Sequence, residues 1–86
     1  MATLILGAEH DRKVKRAATW ALRKIGARRK RGWLGFAGSQ EIAHTEWKIG
    51  RETLVLEAET FLGLTLSGPD EIVDRVESLC RQRLGR

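Results

Sequence analysis

The chain has 86 residues, of which 42% are hydrophobic and 31% are charged, and its formal net charge is +5 at pH 7. This length provides for one hydrophobic core and excludes a second domain, while the composition excludes the low-hydrophobicity class of disordered chains. We therefore expect residues 1–86 to form a single basic domain.

The cysteine content and the N-terminal residues indicate a reducing compartment. Cys80 is the only cysteine, which excludes the disulfide framework of small secreted domains. The apolar residues 3–6 are too few for a signal peptide, and no stretch of the sequence is long and apolar enough to cross a bilayer. We expect a cytoplasmic protein without a membrane role.

Charge is distributed unevenly along the chain. Residues 1–38 carry ten Lys and Arg against two acidic residues, a net charge of +8, whereas residues 39–86 carry six against nine, a net charge of −3. Such asymmetry bears on which partners a protein attracts, not on which fold it adopts. The basic half is therefore the first candidate for a binding surface.

In chain order, the first predicted elements are a short strand and an amphipathic helix. Residues 3–6 are compatible with a short strand or an arm. From Asp11 onward, apolar residues recur with the period of a helix that runs to about Ile25, and Gly26 is typical of a helix stop. Residues 27–31 are an alternative last turn of that helix. Its apolar side consists of Val14, Ala17, Ala18, Ala21, Leu22 and Ile25.

The middle of the chain has the period of β-strands. Apolar and polar residues alternate in four segments, which predicts an antiparallel meander with Gly50-Arg51 as the clearest turn. Alternatively, residues 52–67 are one long strand bent at Gly63. The four segments are residues 33–37, 40–49, 52–59 and 61–67. The alanine-rich side of the helix needs large partners, for which the candidates are Trp33, Phe36, Trp47 and Phe61.

The residues from Ser67 onward predict a second amphipathic helix. Ser67 or Gly68 is expected to cap it, Pro69 lies at or near its first turn, and two acidic residues follow where the helix dipole favours them. The order of elements predicts an α+β fold, with two helices packed on one face of a three- or four-stranded antiparallel sheet that the N-terminal strand can extend. The apolar side of this helix consists of Ile72, Val73, Val76, Leu79, Cys80 and Leu84.

The first helix carries the main candidate for a binding surface. Its cations lie opposite its apolar side, have almost no acidic residues to pair with, and continue into the run of cations at 28–31. Arg supplies most of them, and its planar guanidinium suits bidentate contacts with phosphate or carboxylate. A solvated helix face is the alternative interpretation. The predicted binding residues are Lys13, Arg16, Trp20, Arg23, Lys24, Arg28, Arg29, Lys30, Arg31 and Trp33.

Trp20, Trp33 and Phe36 each have two interpretations. They are either buried at the margin of the core, as most large aromatic residues are, or exposed platforms within a basic patch. The second arrangement is the one that single-stranded nucleic-acid binders use to stack bases. Both interpretations stay open from the sequence.

Neither the glycines nor the cysteine forms a catalytic motif. Residues 32–38 are rich in glycine, but no Lys-Ser or Lys-Thr follows them, so they do not match a phosphate-binding loop. Cys80 lies in the apolar side of the last helix and is expected to be a core residue.

A histidine and three glutamates are the remaining candidates for chemistry. His44, Glu46, Glu57 and Glu59 can meet on neighbouring strands, where they would offer a metal site or an acid–base site. Alternating polar residues on the solvent face of a sheet also group in this way by chance. We expect a protein that is not an enzyme and uses no metal and no cofactor.

These features predict a nucleic-acid-binding module that contacts RNA or DNA mainly through phosphate groups. The alternative is a small protein-interaction module, such as an inhibitor, adaptor or assembly factor, that docks its basic face on an acidic protein surface. An enzyme that uses the carboxylates of the sheet is a third hypothesis. The sheet itself is not the expected nucleic-acid platform, since it lacks the paired exposed aromatics used for base stacking.

Overall fold

The fold was analysed in a computed structural model that describes residues 1–8, 11–37, 40–59 and 63–85. Over these residues the chain alternates between strands and helices in the order β-α-β-β-β-β-α. The elements are β1 (Ala2–Gly7), α1 (Arg12–Lys24), β2 (Arg28–Ala37), β3 (Gln40–Ile49), β4 (Glu52–Glu59), β5 (Gly63–Gly68) and α2 (Asp70–Leu84).

The strands form one antiparallel sheet in the order β1-β5-β4-β3-β2. Strands β2 to β5 are a meander of consecutive hairpins, as the alternating pattern predicts. Strand β1 is the predicted N-terminal strand, and it extends the meander by pairing with β5, in the register Leu4 to Leu66. The two edges of the sheet are therefore β1 and β2.

The hairpin between β3 and β4 confirms the predicted turn. Ile49 pairs with Glu52, so Gly50 and Arg51 form a two-residue loop. Gly50 has a φ of 57°, and Arg51 does not have a positive φ, which is the pattern of a type II′ turn.

The alternative of one long strand over residues 52–67 is wrong. Strands β4 and β5 are separate and pair antiparallel, from Val55 opposite Ser67 to Glu59 opposite Gly63. Gly63 begins the second strand with a φ of 95°, a conformation that favours glycine.

Helix α1 begins and ends with recognisable caps. The Asp11 carboxylate accepts hydrogen bonds from the backbone N–H groups of Lys13 (3.0 Å) and Val14 (3.3 Å). At the other end, the Gly26 N–H donates to the Arg23 carbonyl and the Ala27 N–H to the Leu22 carbonyl. These two bonds, with Gly26 at a φ of 90°, are the Schellman arrangement that ends helices.

The alternative that residues 27–31 form a last helical turn is therefore wrong. Gly26 in the left-handed conformation turns the chain away from the axis of α1, and Arg28 is already paired in strand β2 opposite Lys48. The run of cations lies on a strand, three residues beyond the end of the helix.

Helix α2 starts one residue later than the predicted caps. Ser67 and Gly68 both belong to β5, and Pro69 occupies the N-cap position without a side-chain hydrogen bond to the helix. Asp70 and Glu71 lie in the first turn, as the sequence predicts, and Gly85 ends the helix with a φ of 73°. Neither helix in the described part of the chain is long and apolar enough to span a membrane.

The core lies between the two helices and one face of the sheet. Helix α1 packs against α2, and the inward residues of β4 and β5 are buried while their neighbours on the other face are half-exposed. This confirms the α+β fold with helices packed on an antiparallel sheet, which has five strands. The fully buried large side chains are Val14, Leu22, Leu54, Leu64, Leu66, Val73 and Val76.

Four aromatic residues were expected to fill the core, and the structure describes the side chain of one of them, Trp47. Trp47 is 2% exposed and belongs to the same cluster as the alanines of α1, as predicted. The predictions for the side chains of Trp33, Phe36 and Phe61 fall outside the described part of the chain.

We predict that Gly63→Ala destabilises the fold more than Gly26→Ala. Both glycines have a φ near +90°, where an L side chain costs roughly 1–2 kcal/mol. A Cβ at Gly63 would also lie 2.5 Å from the Gly7 carbonyl oxygen, whereas a Cβ at Gly26 would meet nothing within 4 Å. Urea denaturation of both variants measures the difference in the free energy of unfolding, and equal losses would contradict the close packing of β5 on β1.

Candidate functional site

Helix α1 separates apolar and basic residues onto two sides. Its inward side is made of small residues, and Val14, Ala17, Ala18 and Ala21 are at most 1% exposed. This side is the one the sequence predicts. The outward side carries exposed cations at Arg12, Lys13, Lys15, Arg16, Arg23 and Lys24.

Acidic side chains do not neutralise these cations within the described residues. The ion pairs found there join the N-terminal ammonium to Asp70, Arg81 to Glu77, and His44 to two glutamates. None of them includes a cation of α1. The helix therefore keeps its positive charges exposed to solvent, where they repel one another and attract anions.

Trp20 combines features of both predicted interpretations. It is half-buried and packs against the core cluster, yet two cations lie over its ring. The Arg83 guanidinium carbon is 5.1 Å from the ring centroid and the Lys24 ammonium nitrogen is 5.9 Å from it, both within cation–π range. The indole thus positions one cation from each helix on the same part of the surface.

A depression of about 370 Å³ lies beside Trp20 on the outer side of α1. It forms over Thr19, whose short side chain is surrounded by longer ones, and its rim contributes three positive charges. The lining residues are Lys15, Arg16, Thr19, Trp20 and Arg23.

The first residues of β2 form a second group of cations. Arg28, Arg29 and Lys30 are exposed, and the register between β2 and β3 shifts between Arg29 and Arg31, which leaves Lys30 as the extra residue of a bulge. Lys48 on β3 pairs directly opposite Arg28 and is also exposed. Since the neighbouring Trp47 is buried, this register places Arg28 and Lys48 on the open face of the sheet with Glu46, whereas Arg29 lies on the side of the helices.

The two groups of cations are close in the fold because the connection between them is short. Three residues separate Lys24 from Arg28, so their Cα atoms are at most about 14 Å apart. We call the combined set the basic surface. It consists of Arg12, Lys13, Lys15, Arg16, Trp20, Arg23, Lys24, Arg29, Lys30 and Arg83, and it does not include Arg28, which lies on the open face of the sheet.

Two of the predicted binding residues are located only by their backbone. Arg31 pairs opposite Glu46 and Trp33 opposite His44 within the β2–β3 ladder. Their side chains lie outside the described part of the structure, so the role of Trp33 stays a prediction.

Sequence reasoning missed several members of the basic surface. Arg83 lies near the end of α2, 63 residues from Trp20, and no local pattern links the two positions. The pairing of Lys48 with Arg28 on the open face of the sheet depends on the register of the hairpin, which no local pattern shows either. Lys15 was detectable, since it lies one turn before Thr19 on the same helix.

The open face of the sheet carries the predicted group of a histidine and glutamates. His44 Nδ1 is 3.1 Å from Glu57 Oε1, and His44 Nε2 is 3.8 Å from Glu46 Oε1. The three residues are half-exposed. Among the described residues, no group of three His, Cys, Asp or Glu side chains is arranged to hold a metal. The side chain of Glu59 lies outside the described part.

Cys80 is a core residue, as predicted from its place in the apolar side of α2. Its side chain is 4% exposed. Burial raises the pKa of the Cys80 thiol to about 11, and the negative charge of Glu77 acts in the same direction. The thiol is therefore protonated at neutral pH, which is opposite to what a nucleophilic cysteine requires.

No protein-family model matches the chain, and neither a curated protein nor a solved structure is significantly similar to it.

We predict that Cys80 in the native protein reacts with iodoacetamide at pH 8 about 100-fold more slowly than in the urea-unfolded protein, because its pKa lies about two units above the ordinary 9.0. Cys80 is an acid whose pKa is higher in the folded protein than in the unfolded protein. The folded state favours the thiol, so this stabilisation is present below pH 9 and is lost as the pH rises towards 11. Labelling followed by mass spectrometry gives the rates.

Glu77→Gln is the matched variant for this measurement. It removes the charge of Glu77, which is the smaller cause of the raised pKa, and leaves Cys80 buried. It should therefore change the labelling rate far less than unfolding does. Equal rates for native and unfolded protein would contradict a buried, protonated thiol.

Proposed function

We propose that the protein binds nucleic acid through the basic surface, mainly by contacts with phosphate groups. The observation that carries the proposal is a helix with six exposed cations, none of which is paired with an acidic side chain among the described residues. Uncompensated charge of this kind repels itself in the free protein. That repulsion is relieved when an anionic partner binds and its counterions are released.

The length and composition of α1 suit an extended anionic partner. Its 13 residues correspond to a length of about 20 Å, with four cations in its first half and two at its end, and Thr19 and Trp20 between them. Arg16 and Arg23 flank Thr19 at the depression, where two planar guanidinium groups and a hydroxyl can each donate hydrogen bonds to phosphate oxygens.

In this proposal, Trp20 positions the cations that contact phosphate groups. Cations from both helices lie within 6 Å of its ring centroid, so the ring orders side chains that would contact phosphates. Contacts of this type depend on the backbone of the nucleic acid and carry little sequence information.

The open face of the sheet is a poor alternative platform for nucleic acid. Glu46 and Glu57 are half-exposed on it, and their carboxylates repel phosphates. The proposed orientation therefore directs the helix side of the protein towards its partner.

We predict that Arg16→Gln/Arg23→Gln weakens binding to duplex DNA or RNA roughly 10- to 100-fold at 50 mM salt. In a plot of log affinity against log salt concentration, the slope should become shallower by about 2, because each lost phosphate contact contributes roughly 0.9. Filter binding or fluorescence anisotropy over a salt series measures both quantities.

Arg51→Gln/Arg75→Gln is the matched control, since it removes the same charge from two exposed positions outside the basic surface, and neither cation is ion-paired among the described residues. It should leave the salt slope within error of the parent protein. An affinity of the parent protein that does not fall with salt would contradict the proposal. A nuclease-resistant 1:1 complex with an acidic protein, without salt-dependent nucleic-acid binding, would replace nucleic acid by a protein partner.

A further inference from the structure

The two edges of the sheet differ sharply in charge. Strand β2 starts with four consecutive cations and carries a bulge at Lys30, two features that prevent another strand from pairing with an edge. Strand β1 has no charged side chain in residues 1–8, and Ala2–Ile5 pair with β5 without interruption before the register shifts between Ile5 and Gly7.

The β1 edge is also where apolar surface stays exposed. Ile5 is 69% exposed, and in the described part of the chain only it and Met1 are large hydrophobic residues with high exposure. Leu4 and Leu6 lie on the core side of the strand, yet they are half-exposed, whereas the equivalent residues of β5, Leu64 and Leu66, are at most 1% exposed. The core is therefore incomplete along this edge.

A groove of about 320 Å³ runs between β1 and the last turns of α2, beside the same edge. Its apolar floor is bordered by the Glu77–Arg81 ion pair, so its rim carries one charge of each sign. The lining residues are Ile5, Leu6, Glu77, Cys80, Arg81 and Leu84.

A strand that pairs with this edge has to be uncharged, as the edge itself is. It also has to approach a protein that carries a strong positive charge. Two copies that pair through β1 meet these conditions, since residues 2–8 carry no charge, the N-terminal ammonium is paired with Asp70, and the groove rim is neutral as a whole. The cations of β2 lie at the opposite edge of the sheet, so pairing through β1 keeps these two groups far apart, while the cations of α1 point away from the core towards solvent.

We infer that the protein forms a two-fold symmetric dimer in which the β1 strands of two copies pair antiparallel and continue the sheet across the interface. Near the symmetry axis, Leu4 of each copy packs beside its counterpart on the helix side of the sheet and Ile5 does so on the open face, and the grooves beside α2 receive apolar side chains from the second copy. A two-fold axis of this kind makes the interface self-complementary. Both basic surfaces remain accessible in the assembly.

The dimer is tested with the full chain by sedimentation equilibrium and by light scattering after gel filtration. At 100 μM protein we expect twice the 9.7 kDa mass of one chain, both at 0.1 M and at 0.5 M salt. Persistence at high salt separates strand pairing from a charge-driven contact between the basic surface and the acidic sheet face of another copy. A monomer at this concentration would overturn the inference, as would a dimer that dissociates at 0.5 M salt.

Ile5→Lys is the decisive variant. It places like charges across the symmetry axis and removes apolar burial from both copies, so the dimer dissociation constant should rise at least about tenfold. Ser78→Lys adds the same charge to an exposed position of α2 and should leave the dissociation constant unchanged.

Circular dichroism and thermal melting establish that the variants are folded. Thr3→Lys, at another exposed position of β1, serves as the second variant if Ile5→Lys loses its fold. A folded β1 variant that dimerises as tightly as the parent protein would overturn the assignment of the interface to this edge. Hydrogen exchange supplies an independent readout, since the amides of residues 3–6 that point away from β5 should lose protection on dilution to monomer, whereas those bonded to β5 should keep it.

Discussion

The close packing of the small-residue side of α1 is the constraint on which the rest of the structure depends. Val14, Ala17, Ala18 and Ala21 are buried, and such small side chains let the helix backbone approach α2 and the sheet. The volume of the core is supplied from the other elements, by Trp47 and by the leucines of β4 and β5. Any larger residue on this side would push the helix away from its neighbours.

This packing also decides where the charges lie. Because the inward side of α1 is apolar, its cations lie on the outward side, where six of them are exposed to solvent. Among the described acidic residues of the second half of the chain, Glu46 and Glu57 lie on the open face of the sheet, and Asp70 and Glu71 lie in the first turn of α2. The unequal charge of the two halves of the sequence thus becomes a separation of charge in space, and it underlies the proposed binding of nucleic acid by the helix side.

Most of the fold followed from local patterns. The helical period before Ile25, the alternation in four later segments and the turn at Gly50 were sufficient for the two helices and the order of the strands. Two alternative predictions were wrong, each at a position where the chain has a glycine. Gly26 ends α1 before the run of cations, and Gly63 is the first residue of a separate antiparallel strand; both have a positive φ, which composition alone does not reveal.

By itself, the sequence determined the fold class, the two sides of α1 and the core position of Cys80, because the helical and strand periods and the charge of each segment are local properties. Only the tertiary structure decided that β1 pairs with β5 and becomes an exposed edge. It alone joined Arg83 to Trp20 and Lys48 to Arg28. These contacts join residues far apart in the chain, and their geometry depends on how helices pack and strands align, which no local pattern specifies.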